Sequence, residues 1–135
     1  MEESQQKYRK TPNCVYNLNY HIVWTPQRRK PVLVGAIAED FKILVSEKAK
    51  ALGISIESME VMPDHVHLFI SAPPKFSPHK IIKLFKGATG GFLRQKFPQL
   101  LKLPSMWSGS YYIGSVGFVS ESVVRNYIEN QKGKQ

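Results

Sequence analysis

The chain has 135 residues, 42% of them hydrophobic and 21% charged, which predicts one domain with a core large enough to fold unaided. Its 19 basic against 10 acidic residues give a formal net charge of +9, which favours a polyanionic partner, nucleic acid first, over a small acidic substrate; a merely soluble basic protein is the alternative. The chain has one cysteine, Cys14, so it cannot form an internal disulfide. It shows no secretory leader and no apolar stretch of the ~20 residues that span a bilayer. We therefore expect a cytoplasmic protein.

The start of the chain, MEESQQKYRK, is polar and charged. It predicts a flexible N-terminal arm over residues 1–12, followed by a single domain over residues 13–135. Between Cys14 and Trp24 every even position is apolar, whereas the odd positions include Asn17, Asn19 and His21. This alternation predicts one strand with a polar face.

An amphipathic helix is predicted after the basic turn TPQRRKP. Glu39 and Asp40 lie near its start and Gly53 lies just past its end, which are the residue types that helix termini prefer. Its apolar positions recur at helical spacing and are Ile37, Phe41, Leu44, Val45 and Leu52.

Two strands are predicted next, over residues 54–62 and 65–71, joined tightly by the turn sequence PD. Side chains alternate between the faces of a strand, so His65 and His67 point the same way and two imidazoles converge on one spot. The opposite face receives Val66, Leu68 and Ile70.

A second helix is predicted from Ser77, which can cap it, with Pro78 at its first position. Its predicted buried stripe contains Ile81, Phe85, Ala88 and Phe92. The opposite, polar stripe contains His79, Lys83, Lys86, Gly90 and Arg94. Gly90 and Gly91 each cost a helix about 1 kcal/mol relative to alanine, so we expect a bend or break there.

The run MWSGSYYIGSVG predicts a short aromatic strand that ends in a glycine-punctuated loop, and Ser120 can cap a last helix through about Gln131. The order strand, helix, strand, strand, helix, strand, helix predicts an α+β fold. It fits a ferredoxin-like, split β-α-β antiparallel sheet with helices on one face and an extra C-terminal helix. On that last helix, Tyr127 and Gln131 are four residues apart and share a face.

These side chains suit phosphodiester cleavage. His65, His67 and the amide oxygen of Gln131 would give a divalent cation three ligands and leave positions for phosphate oxygens and water. The phenol of Tyr127, with an ordinary pKa near ~10, attacks poorly at neutral pH unless positive charge or a base lies close, and the metal site would supply that charge.

Ordinary structural explanations compete with this chemistry. An isolated H-x-H on a strand is more often incidental or half of a structural zinc site. Tyr127, beside Val124 and Ile128, alone indicates a core tyrosine. His21 and His79 are interpreted as a polar-face and a solvent-facing histidine, and neither is given a role.

Four blocks resemble the single-tyrosine HUH transposases (TnpA type) of the insertion sequence 200/605 family: NCVYNLNYHIVWTPQRRKPVL, VMPDHVHLFIS, MWSGSYYIGSVG and VRNYIENQ. The resemblance implies a homodimer that cuts and rejoins single-stranded DNA at transposon ends, recognises a hairpin there, and uses magnesium or manganese but no nucleotide cofactor. It also implies that Tyr127 is the nucleophile, that His65, His67 and Gln131 hold the metal, and that cleavage leaves a 5′-phosphotyrosine and a free 3′-hydroxyl. The sequence ATGG at residues 88–91 is richer in glycine than the family's helix.

Contacts to the DNA backbone are predicted for six basic residues, because phosphate neutralisation dominates nucleic-acid affinity. They are Arg28, Arg29, Lys30, Lys83, Lys86 and Arg94, and solvated surface charge is the alternative for each. Trp107, Tyr111 and Tyr112 are candidates for stacking on bases or for burial in the core.

Three further functions stay open at this level. A host-adopted relative would act as a single-strand nuclease on repeat elements. A non-enzymatic nucleic-acid-binding domain would need no nucleophile, and a metal-dependent phosphohydrolase would use activated water and form no covalent adduct.

Overall fold

The computed structural model describes residues 9–11 and 14–116. Over this part of the chain the elements are β1 (Arg9–Thr11), β2 (Cys14–Tyr16), β3 (Asn19–Pro26), α1 (Gly35–Leu52), β4 (Ser55–Met62), β5 (His65–Ser71), α2 (Pro78–Lys96) and β6 (Trp107–Val116). Short 3-10 turns follow β3, at Gln27–Arg29, and α2, at Pro98–Lys102. The predicted last helix, with Tyr127 and Gln131, lies outside the described residues. No helix of the described part is long and apolar enough to cross a membrane.

The main sheet has the strand order β4-β5-β3-β6, and every neighbouring pair is antiparallel. Helices α1 and α2 connect strands that are not adjacent, which is the split β-α-β arrangement predicted from the order of elements. One face of the sheet packs with both helices into a single apolar core. Large fully buried members of that core are Ile22, Trp24, Phe41, Leu68, Ile70, Ile81 and Phe85.

Helix α1 confirms its sequence prediction at the C-terminal end, whereas Glu39 and Asp40, predicted near its start, lie beyond its first turn. It begins at Gly35 and ends at Leu52, and Gly53 follows in the left-handed conformation with φ of 73°. The N–H of Gly53 donates to the carbonyls of Ala49 and Lys50, so glycine terminates the helix without the strain that a Cβ would bring.

Helix α2 corrects two predictions. It runs unbroken from Pro78 to Lys96, so the predicted break at the two glycines is wrong. Gly90, predicted on the polar stripe, is buried, whereas Phe92, predicted in the buried stripe, is 49% exposed. The buried stripe instead contains Ile81, Ile82, Phe85, Thr89 and Leu93.

Tertiary packing explains why Gly90 lies inside. A Cβ at this position would lie 3.3 Å from Met106 Cβ and 3.4 Å from the Trp107 ring. The indole Nε1–H of Trp107 donates to Thr89 Oγ1 at 3.1 Å. Glycine therefore admits the indole against the helix, and this contact outweighs the poor helix propensity that suggested a break.

The adjacent glycines provide a matched test of this packing. Gly91→Ala is expected to raise the free energy of unfolding by about 0.5–1 kcal/mol, because a Cβ there has no atom within 4 Å. Gly90→Ala is expected to be less stable than Gly91→Ala, because its Cβ meets Met106 and Trp107. Urea denaturation of both variants measures the difference, and equal stabilisation by both would contradict the tight contact.

The first predicted strand is divided. Residues from Cys14 to Trp24 do not form one strand, because β2 ends at Tyr16 and β3 begins at Asn19. Across this interruption the Asn19 side chain donates to Asn17 Oδ1 at 2.8 Å, a local bond that competes with strand pairing. Strand β2 pairs with β1 and not with the main sheet.

The predicted flexible arm is ordered at Arg9–Thr11, where β1 pairs with β2. Arg9 forms an ion pair with Glu57 at 2.7 Å and donates to Ser71 Oγ at 2.9 Å. These contacts attach this part of the predicted arm to strands β4 and β5. The division into an arm and a single domain over residues 13–135 otherwise stays a prediction.

Candidate active site

His65 and His67 lie on the face of the sheet opposite the helices. The tight turn at Pro63 and Asp64 places His65 at the first position of β5, opposite Met62 of β4. His67 lies in register with Glu60 on one side and Val23 on the other. Their ring centroids are 4.5 Å apart with planes at 80°, so the predicted convergence of the imidazoles is present.

Asp64 and Arg29 hold one of these rings. The Nδ1–H of His65 donates to Asp64 Oδ1 at 2.6 Å, and Arg29 donates to the other carboxylate oxygen at 2.8 Å. Burial raises the pKa of Asp64, but the hydrogen bonds from His65 and Arg29 outweigh burial and the net shift is downward. Asp64 is therefore a carboxylate in contact with both the His65 ring and the Arg29 guanidinium.

A third histidine lies on the same face. His21, predicted on a polar face, is fully buried, and its ring stacks on His67 with centroids 6.1 Å apart and planes at 12°. The ring of Tyr112 also contacts His21, with the two ring centroids 5.6 Å apart. Burial lowers the pKa of His21 to about 4, so the ring is neutral at pH 7.

Sequence reasoning missed His21 and treated Asp64 only as a turn former. The alternation of β3 placed His21 on the polar face, but only the pairing of Val23 with His67 brings that face beside the histidine pair. For Asp64 a local signal existed, since a carboxylate directly precedes the H-x-H sequence.

The two histidines fit a divalent cation as far as the described residues extend. His65 Nε2 is buried and has no hydrogen-bond partner among the described residues, which leaves its lone pair available to a metal there. Nδ1 is held by a carboxylate, as in many metal-ligating histidines. Within residues 9–11 and 14–116, no group of three or more His, Cys, Asp or Glu side chains is arranged to hold a metal. The predicted third ligand, Gln131, lies outside the described residues.

Three of the predicted DNA contacts lie in the turn after β3. Arg28, Arg29 and Lys30 are exposed, and both arginines adopt positive φ, 58° and 51°. Of the three, Arg29 forms the ion pair with Asp64.

The other three lie on α2. Lys83 is exposed, but Lys86 and Arg94 are half-buried and donate to the carbonyls of Ser108 and Leu103 at 2.7 and 2.9 Å. Burial lowers the pKa of Lys86, and its ammonium lies 5.5 Å from the centroid of the Tyr111 ring. These two residues already have structural roles within the fold.

Two of the three aromatic residues of β6, Trp107 and Tyr111, contact the apolar core, and the third, Tyr112, lies beside His21. Trp107 is buried in the apolar core, which confirms the core alternative for this residue. Tyr111 is half-buried and its hydroxyl hydrogen-bonds exposed His79 at 2.6 Å, and Tyr112 is half-buried beside His21.

The histidine pair, one hydrophobic residue apart on the helix-free face of a ferredoxin-like sheet, defines the candidate site of this chain. A family model described as "Transposase IS200 like" matches residues 14–131. The chain therefore belongs to the IS200-like transposase family, a family of DNA-processing enzymes.

Individual relatives agree with this assignment. The ISDra2 transposase TnpA of Deinococcus radiodurans is 36% identical over 124 residues, which cover 90% of this chain and 89% of that protein. The transposase for insertion sequence element IS200 of Salmonella typhimurium is 25% identical over 119 residues, covering 86% of this chain and 78% of the relative.

Solved structures share the fold. A crystal structure from Deinococcus radiodurans, assigned as a transposase, superposes with a TM-score of 0.73 and 35% identity, covering 91% of this chain and 97% of that one. A REP-associated tyrosine transposase bound to a REP hairpin superposes with a TM-score of 0.59 at 13% identity, covering 94% of this chain and 68% of the other. The second likeness concerns the fold alone.

Proposed function

We propose that this transposase cleaves and rejoins single-stranded DNA at insertion-sequence ends through a covalent 5′-phosphotyrosine on Tyr127, with a divalent metal bound by His65, His67 and Gln131. The observation that carries the proposal is the convergence of the two imidazoles, with the buried Nε2 of His65 unbonded within residues 9–11 and 14–116. Family membership supports the DNA-processing part of the proposal.

The protein's own residues would divide the work as follows. The histidines and Gln131 would hold the cation, which when bound would supply positive charge to the scissile phosphate. The Tyr127 oxygen attacks phosphorus and loses its proton, and the 3′-oxygen of the preceding nucleotide leaves and gains one. Rejoining is the reverse attack, by a 3′-hydroxyl on the phosphotyrosine, so bond energy is conserved and no nucleotide cofactor is needed.

We propose Mg²⁺ or Mn²⁺ as the metal. Two imidazoles leave most coordination positions to water, phosphate and an amide oxygen, which are the oxygen donors that both cations accept. Manganese is the more useful probe, because first-row transition metals bind nitrogen donors more readily than magnesium does.

The proposed partner is a single strand that folds into a hairpin at the transposon end, bound by a homodimer. The net charge of +9 supports a polyanionic partner. Of the predicted backbone contacts, Arg28, Lys30 and Lys83 are exposed, and neither salt bridges nor hydrogen bonds occupy their side chains within the described residues.

The test is covalent capture of DNA by the wild-type protein and by His67→Ala. We expect the wild type to form an adduct with single-stranded DNA that EDTA prevents and Mn²⁺ restores, and His67→Ala to lose the adduct by about 100-fold or more. His67 is not a member of the apolar core, so the variant should keep its fold, which circular dichroism checks. Full adduct formation in EDTA would contradict the metal role, and adduct formation by folded His67→Ala would contradict the ligand assignment.

A further inference from the structure

We propose that Asp64 and Arg29 are positioning residues for the metal site: Asp64 fixes the ring and tautomer of His65 so that Nε2 faces the metal, and Arg29 holds Asp64 in place. This inference rests on the proposed role of His65 as a ligand. It assigns to Arg29 a task other than the phosphate contact predicted from its charge.

The geometry at Asp64 supports its proposed role in fixing the His65 ring. A carboxylate oxygen 2.6 Å from Nδ1 favours the tautomer that has its proton on Nδ1 and its lone pair on Nε2. The His65 side chain is only 9% exposed, so water competes weakly for Nδ1. An imidazole held in this way needs no reorientation when a cation binds.

The backbone around Arg29 supports its proposed role in holding Asp64. Arg28 and Arg29 both lie in the left-handed region, which residues other than glycine rarely adopt and which persists only where the surroundings impose it. Here Gln27 donates its backbone N–H to the Met106 carbonyl at 3.0 Å and its side-chain amide to Ser105 Oγ at 2.8 Å.

A further backbone hydrogen bond joins the segment after the arginine turn to the turn that contains Asp64. The N–H of Leu33 donates to the Pro63 carbonyl at 3.0 Å. The arginine turn and the Pro63–Asp64 turn are thus held side by side, and of the two adjacent arginines Arg29 reaches Asp64. Arg28 has the same charge and backbone conformation but no ion pair within residues 9–11 and 14–116, which makes it a matched control.

The first experiment needs no metal. Long-range proton–nitrogen NMR of the full chain with ¹⁵N-labelled histidine reports which nitrogen of His65 carries the proton. We expect the Nδ1–H tautomer to dominate in the wild type and to give way to a mixture in Asp64→Ala. An unchanged His65 tautomer in folded Asp64→Ala would overturn the proposal.

The second experiment measures Mn²⁺ affinity without DNA, by calorimetry on the full chain. Asp64→Ala should weaken binding by about 10- to 100-fold. Removing a cationic side chain near a metal should by itself tighten binding or leave it unchanged, so Arg28→Ala measures that charge effect. Arg29→Ala should instead weaken binding about two- to fivefold relative to Arg28→Ala, as expected for a partly exposed ion pair.

A double-mutant comparison isolates the proposed connection. Once Asp64 is alanine, Arg29→Ala should no longer weaken Mn²⁺ binding, because its effect passes through the carboxylate. Equal effects of Arg28→Ala and Arg29→Ala, or undiminished weakening by Arg29→Ala in the Asp64→Ala background, would overturn the role of Arg29. A wild type that binds no Mn²⁺ would refute the metal in the proposed function, while the tautomer measurement would still test Asp64 independently.

Discussion

Tyr127→Phe is expected to abolish covalent attachment of DNA, by roughly 10⁴-fold or more, while single-stranded DNA binding stays at the wild-type level. The substitution removes only the attacking oxygen and keeps the aromatic ring, so the fold and the positive surface are unchanged. No other group within the proposed mechanism forms the phosphotyrosine bond. Loss of attachment with retained binding would therefore identify Tyr127 as the nucleophile.

The measurement follows from the polarity of the proposed adduct. The phosphate that joins tyrosine belongs to the 5′ end of the downstream DNA fragment, which stays attached to the protein. The DNA should therefore carry its label at the 3′ end, and the adduct should be resolved on a denaturing gel. Fluorescence anisotropy measures binding separately. Tyr16→Phe, in β2 and distant in sequence from the histidine motif, serves as the control that removes a phenolic oxygen elsewhere. Normal attachment by Tyr127→Phe would point to another nucleophile, and cleavage without any adduct would favour a hydrolase using activated water.

Local sequence patterns predicted much of the framework. The helical spacing of the apolar residues of α1 predicted the helix, and Gly53 predicted its C-terminal end. Alternation along β5 placed both histidines on one face and Val66 and Leu68 in the core. These features depend on neighbours within a few residues, which a single sequence displays directly.

The remaining features depend on contacts between distant segments. The burial of His21 follows from the pairing of β3 with β5 and β6, and no local pattern encodes that register. Gly90 is buried because Trp107 packs against it. Tertiary packing therefore stabilises a glycine in the helix, although glycine has a low helix propensity. The ion pair between Arg29 and Asp64 joins residues 35 positions apart, although each residue alone was assigned to a turn.

In the proposed homodimer, the histidines and the tyrosine of one site can come from the same chain or from different chains. In the sequence, Gly114 and Gly117 lie in the predicted glycine-punctuated loop. They predict a flexible connection into the last helix, which would let that helix dock on its own sheet or on a partner's. Gly114 is instead part of β6, paired opposite His21, so flexibility at Gly114 is not supported. Gly117 lies outside the described residues. We propose, from the family resemblance, that each site combines the histidines of one subunit with the tyrosine of the other.

A mixed dimer is expected to recover activity that neither parent has. One chain carries Tyr127→Phe and the other carries His65→Ala with His67→Ala, so each homodimer lacks an essential group at both of its sites. If sites are shared, one site of the mixed dimer joins intact histidines to an intact tyrosine and the second site lacks both. Attachment of DNA should then return to roughly half of the wild-type level by counting sites.

The alternative gives a different result from the same protein. If each chain builds its own site, the first chain has histidines without a nucleophile and the second has a nucleophile without metal ligands, so both sites stay inactive. Co-expression with two different tags and sequential affinity purification isolates the mixed dimer, light scattering verifies its dimeric mass, and mass spectrometry verifies that both chains are present. The adduct should appear on the chain that carries the histidine substitutions, because that chain retains Tyr127. An inactive, verified mixed dimer would refute shared sites, since every residue that a shared site requires is present in it.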